Sequence, residues 1–309
     1  MSSNSQITKL IYSRLEENGC SGRIVPIQHL IDLKEEIEIN RNKGIFDSTF
    51  CQERLVYFNY EIQETFPDAN SIVITAAPQS QQKVHFDLRG RDFQVIVPPT
   101  YSSETDKKVE DIIAYILKPE GFDFRPAVLP LKSLAVHSGL AEYGKNNITY
   151  IQSIGSFYRL KAFFSDLPAI EDNWFEMELM EQCEKCSACI DKCPTGAIIP
   201  ERFLMKAERC LTFHNERPDK FPTWIEPSWH NCLIGCMECQ MVCPVNKKFR
   251  SRFEEELRFS QEESTILLKE RSSRQLPPEM INKLQRIGLS EDINLIPRNL
   301  GVLLEQNSM

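Results

Sequence analysis

The stretch CEKCSACIDKCPTGAI, residues 183–198, constrains this chain more than any other. It sets Cys183, Cys186, Cys189 and Cys193 in the spacing C-x2-C-x2-C-x3-C, with Pro194 directly after. Three thiolates this close together wrap one corner of an iron–sulfur cube, while the fourth points away toward a second cube. A partner group is therefore required, and CLIGCMECQMVCP supplies Cys236, Cys239, Cys243 and Pro244 in matching order. Leu233 stands where the first cysteine of that second run would be. The expected ligand sets are Cys183, Cys186, Cys189 and Cys243 for one 4Fe-4S cluster, and Cys193, Cys236 and Cys239 for the other. Cys210 or Cys232 completes the second set, and spacing alone does not choose. A zinc site also takes four thiolates, but it does not call for eight cysteines interleaved with Cys-Pro endings.

Nine of the eleven cysteines lie between 183 and 243, in a chain with no export signal, so metal ligation fits better than disulfides. Cys20 and Cys51 fall outside and read as small apolar residues. A net charge of -8 argues against a surface made for non-specific phosphate binding, which needs clustered Lys and Arg. No uncharged apolar run approaches the roughly 20 residues that cross a bilayer, so no membrane contact and a cytoplasmic location are expected. Neither a P-loop nor a G-x-G-x-x-G run is present, which leaves ATP and nicotinamide without their usual sequence support.

The pattern suggests three regions: an α/β (α+β) domain over 1–180, a ferredoxin-like domain with two clusters over 181–246, and a helical segment over 247–309. Ile7, Leu10, Ile11 and Leu15 share a helical face before Gly19. SIVITAA suits a buried strand, and HFDLRGRDFQVIV suits two strands about an Arg-Gly turn. From Thr105, Val109, Ile112, Ile113, Ile116 and Leu117 follow helical spacing up to Gly121. FRPAVLPL reads as a strand, LKSLAVHSG as a short helix, and NNITYI and YRLKAFF as further strands. Past 247, Pro277, Pro278 and Pro297 divide two or three short helices.

A ferredoxin needs only the cluster segment, so the preceding 180 residues imply a second redox centre. GLAEYGKNN at 139–147 resembles the GLGWxGKN signature of the epoxyqueuosine reductase family, cobalamin-dependent iron–sulfur enzymes related to reductive dehalogenases. IGSFYRLKAFF, ERCLTF and RNLGVLL are similar to three further family segments, in order, and the likeness covers most of 125–304.

The resemblance implies a nitroreductase-like, cobalamin-binding N-terminal domain and selects Cys210 as the isolated ligand. It assigns cofactor contacts to Asn146, Gly155, Ser156, Thr212 and His214. The family's acidic residue falls on Arg125, and arginine is no general acid near neutral pH. Arg125, Tyr143 and Lys145 are therefore the expected catalytic positions, the first as an anion grip and the others as proton donors. A reductase with a substrate other than epoxyqueuosine follows, one reducing a small, anionic molecule with electrons from reduced ferredoxin or flavodoxin. The family's helical-repeat tail, thought to hold transfer RNA, has little room before 309, which makes tRNA an unlikely partner. The alternative is a non-enzymatic ferredoxin-type carrier or redox adaptor.

Overall fold

The structure, a computed structural model, describes residues 3–306 except 63, 255 and 271. Along the chain run helix α1 (Ser3–Glu17), strand β1 (Ser21–Pro26), α2 (His29–Asn42), the short α3 (Ser48–Phe50) and strands β2 (Ser71–Pro78), β3 (Gln82–Leu88) and β4 (Arg91–Val97). Helix α4 (Glu104–Leu117), β5 (Phe124–Ala127), α5 (Leu131–His137), the two-residue strands β6 (Glu142–Tyr143) and β7 (Thr149–Tyr150), and β8 (Tyr158–Ser165) follow. The cluster region contributes α6 (Ala188–Lys192), α7 (Leu211–Asn215) and α8 (Glu238–Met241), before β9 (Leu257–Phe259), α9 (Gln261–Leu267), α10 (Pro278–Arg286) and α11 (Ile296–Gln306).

These elements form two compact units interleaved along the sequence. The first takes the chain up to Pro78 together with Thr105–Cys186; the second takes Gln79–Glu104 and the chain from Ser187 on. The first unit is built on an antiparallel sheet in the order β1-β2-β8-β5. Strand β2 is buried at every position but its last, as its β-branched run requires. Its alternation divides two cores: Ile72, Ile74 and Ala76 pack with Leu30, Leu33, Leu134 and Ala135 of α2 and α5. Val73 and Ala77 pack with Ile7, Ile11, Leu15, Val109 and Ile113 of α1 and α4. Leu10, expected on the apolar face of α1, is 45% exposed. Two turns of helix present only three or four positions to a sheet, and Ile7, Ile11 and Leu15 fill them.

The second unit has the sheet order β4-β3-β9, with β3–β4 antiparallel and β3–β9 parallel. The Arg-Gly turn of this hairpin is as expected, with Arg89 and Gly90 both at positive φ (51° and 73°). Its destination is not what a contiguous 1–180 domain implies. Val84, Phe86, Val95 and Val97 join Leu233 and Ile234 of the cysteine-rich region, and Leu257, Phe259, Leu267, Leu284 and Leu300 of the C-terminal segment, in one buried core. Phe86 and Phe259 stack at 5.1 Å. Of the two or three C-terminal helices expected, three form, at α9, α10 and α11. Among the described residues, no helix is long and apolar enough to cross a membrane.

Candidate iron–sulfur centre and reaction site

In the second unit, α6 packs against α8, which sets Cys189 and Cys239 on neighbouring one-turn helices, each run ending in Cys-Pro. Lys192 and Glu238 pair across them at 3.2 Å. Cys210 lies within electrostatic reach of both Cys193 and Cys236, whereas Cys232 is within reach of Cys236. Burial pushes the Cys210 thiol up, while the backbone and hydroxyl of Thr212 and the backbone of Phe213 bond to its sulfur and favour the thiolate. Cys236 behaves alike: burial pushes it up to about 12, and Asn231 Nδ2 donates to its sulfur from 3.2 Å. Cys232 is different. It is 1% exposed and directs its thiol hydrogen at Asn231 Oδ1, 3.1 Å away. Of the two cysteines that the spacing left open, Cys210 is thus the one placed with Cys193.

A cubane fits this donor set. None of the eleven cysteines is in a disulfide, and the sulfurs of Cys210 and Cys236 are met by N–H donors, as cluster thiolates are. Among the described residues no three His, Cys, Asp or Glu side chains converge as a single ion would need. A cube spreads its four thiolates over four corners and needs no such convergence.

The second unit also explains the Arg-Asn pair of RNLGVLL. Asn299, on α11, donates to Asn215 O and Leu233 O at 3.0 and 2.9 Å, and Arg298 donates to His214 O at 3.0 Å. Asn215 passes the connection on to Gly235 O at 2.6 Å. Gly235 has φ +67°, and a Cβ there would stand 2.5 Å from the Tyr101 hydroxyl, so only glycine fits beside Cys236. His214 Nε2 is 2.8 Å from Glu208 O. Thr212 is spent on the Cys210 sulfur.

The first unit carries Cys183 and Cys186 and most of the expected reaction residues. Tyr143, on β6, is 5% exposed; burial raises its phenol well above the usual range, against a hydrogen bond with Ser133. Ser133 Oγ in turn donates to Glu36 Oε1 at 3.4 Å, and Glu36 Oε2 is 3.2 Å from His137 Nε2. Asn146 donates to the Tyr150 hydroxyl at 2.8 Å. Gly155, at φ +64°, closes a tight turn on Ile151, and Ser156 beside it is 4% exposed. Lys145 Nζ donates to Glu184 O and Cys186 O at 3.2 and 3.1 Å. Arg125 stands apart from these on β5, where it donates to Thr65 O and lies 4.8 Å from the centre of the Phe66 ring. A cleft of about 450 Å³ opens beside β6 and β7, floored by Val136, Leu140 and Ile151 and rimmed by Glu142, Glu176 and Glu178.

Sequence spacing gave no sign of one further group. Trp174 is sandwiched between His29 and His137, with ring centroids at 4.1 and 4.6 Å and planes 3° and 13° apart. His29 has Asp32 and Asp172 at its two ring nitrogens, 2.6 and 2.5 Å away. His137 has Phe175 O at Nδ1 (2.6 Å) and Glu36 at Nε2. The only advance signal is His29, Asp32 and Glu36 recurring along one side of α2.

Residues 182–246 match the 4Fe-4S double cluster binding domain. Epoxyqueuosine reductase of Shewanella oneidensis is 32% identical over 163 residues, 51% of this chain and 40% of that protein. That of Pseudomonas aeruginosa is 30% identical over 186 residues, 58% of this chain and 48% of that protein. The chain thus spans less than half the length of these relatives. The structure of the Bacillus subtilis enzyme, with its catalytic loop swung out of the active site, superimposes with a TM-score of 0.71 at 22% identity, covering 98% of this chain and 82% of that one. An epoxyqueuosine reductase bound to an epoxyqueuosine-modified tRNA-Tyr stem loop superimposes at 0.69, with 21% identity and the same coverage.

The fold and its cysteines therefore define a double-cluster iron–sulfur protein. Within that class its sequence is similar to epoxyqueuosine reductases over about half of its length, and its fold is theirs along nearly all of it. The exclusion of tRNA does not survive: a protein sharing this fold over 98% of the chain has been solved with a tRNA stem loop in place. The expectation rested on the room left for a tRNA-holding tail, and this chain already covers 82% of the tRNA-bound protein.

Proposed function

We propose that this protein is an iron–sulfur oxidoreductase in which two 4Fe-4S clusters deliver electrons to a bound corrinoid, and that its substrate is an epoxide-bearing modified nucleoside in a tRNA stem loop. The observation that carries the reading is the double-cluster run joined, in one fold shared along nearly the whole chain, to a unit that a simple electron carrier would not need. The substrate class rests on the relatives' names and on the tRNA-bound neighbour.

Four of the five histidines, His29, His85, His137 and His214, have a ring nitrogen committed to a carboxylate or a carbonyl. Asn146, Gly155 and Ser156 are the residues that would meet the macrocycle, Gly155 because its backbone carries no Cβ to obstruct close approach. When bound, the corrinoid supplies a strongly nucleophilic metal. Arg125 cannot return the proton that such a reduction consumes. Tyr143 Oη can hold it, with Ser133 Oγ and the Glu36 carboxylate behind it as the route of resupply. Burial keeps that proton in place until a stronger base forms nearby.

The test is anaerobic reconstitution with cobalamin, followed by turnover of a tRNA-Tyr stem loop carrying epoxyqueuosine, with a chemical reductant as electron source. Stoichiometric corrinoid, turnover, and slower turnover with unchanged corrinoid content in Tyr143→Phe are the expected results. Protein that holds both clusters but takes up no corrinoid would leave only the electron-carrier reading.

A further inference from the structure

The geometry points to Lys145 as the positioning residue of the first cluster, holding the loop that bears Cys183 and Cys186 and setting that cluster's reduction potential. The inference rests on the double-cluster reading and goes beyond the proposed reaction, because it concerns one cation and one loop. Two of the three ammonium hydrogens are directed at carbonyls of the cluster run itself, Glu184 O and Cys186 O. An ammonium so engaged is poorly placed to give a proton to a substrate and well placed to hold a loop.

Burial does little to hold the loop. Residues 181–187 are exposed or half-buried throughout, with one three-residue 3-10 turn, Glu181–Cys183, and no apolar side chain in the core. The support for Lys145 is rigid by comparison. Gly144 N donates to Ile148 O and Asn147 N to Gly144 O, both at 2.9 Å, closing the β6–β7 turn with Asn147 at φ +54°. Asn146, 3% exposed, bonds the Tyr150 hydroxyl from inside. A Cβ on Gly144 would meet the Tyr150 ring at 2.7 Å, so the turn sits directly against that ring. The same hairpin also grips the approach to the loop: Met180 N donates to Tyr143 O, and Cys183 N to Met180 O, both at 2.8 Å.

A cube held by four thiolates gains negative charge when reduced. A fixed cation at its loop favours that reduced state and raises the potential, and the effect falls off with distance and solvent exposure. Lys145 is half-buried, where screening is weaker than at the open surface. Only the cluster ligated by Cys183 and Cys186 should feel it strongly.

The experiment is a potentiometric titration, followed by electron paramagnetic resonance, of the anaerobically reconstituted full chain and its K145M, K145Q and K145R variants, with no corrinoid added. In K145M and K145Q one couple shifts to lower potential and its spectrum changes, while the other stays where it is; K145R restores the first. Loss of half the iron in K145M, recovered in K145R, would support the same assignment in its extreme form. Full iron with both couples unmoved, or both displaced together, would overturn it. Failure of the wild type to bind cobalamin would strike the proposed reaction and leave this result intact.

Discussion

At the scale of single residues, what surrounds each sulfur favours Cys210 as the ligand that spacing left open. Cys210 opens α7, where backbone N–H groups of the first turn and the Thr212 hydroxyl meet its sulfur. Cys232 is enclosed as a hydrogen-bonding thiol. Cys210→Ser is therefore expected to reduce the iron content from about eight to about four per chain, and Cys232→Ser to leave it unchanged, by iron assay and visible absorbance. The cysteine runs were readable from the sequence because cube geometry dictates their spacing. The ligand from outside the run was not fixed by spacing, since its partners are brought together only by the fold; only the family likeness pointed to Cys210.

At the scale of elements, the segment between β8 and the first cluster loop is irregular, yet fastened. Trp174 is held between two imidazoles, and Phe175 exchanges bonds with His137 through both its N–H and its carbonyl. Burial pulls the His137 pKa down, but its bonds to Glu36 and the Phe175 carbonyl outweigh that, and the net displacement is upward. A group raised on folding contributes its stability in full below its unfolded value, about 6.5, and loses it as pH rises through the folded value. Hydrogen exchange at amides 173–180 is accordingly expected to quicken, beyond the intrinsic base-catalysed increase, as pH climbs through and past neutrality, and His137→Gln should abolish that dependence. An unchanged protection factor across the range would refute the clamp. Little of this was legible beforehand, because the stack joins His29, His137 and Trp174 from distant parts of the chain and leaves no period in the sequence. The helices and strands were legible wherever one face is buried: α1, α4, β2 and β8 lie where the apolar spacing places them. NNITYI was the exception. It keeps only Thr149–Tyr150 as strand, since Asn146 and Asn147 are taken by the turn.

At the scale of the molecule, the cluster region is not a self-sufficient module. Its core is shared with a hairpin from the first hundred residues and with three C-terminal helices. Phe86 has no exposed surface and stacks on Phe259. Phe86→Ala should cost about 3–5 kcal/mol in chemical denaturation and hasten cluster loss, although it lies far along the chain from every cysteine ligand. Unchanged iron retention in that variant would show that the clusters need no such support.

The route of the hairpin also sets a timetable. During synthesis β3 and β4 leave the ribosome well before β9, whose Leu257 aligns with Val84, so two apolar strands must wait for a partner made much later. Closing so long a loop is slow, and the interval leaves greasy strand edges open to stray pairing. A nascent chain of this kind has reason to be shielded until its last helices arrive, and iron delivered earlier would meet thiols with no finished cage to enter.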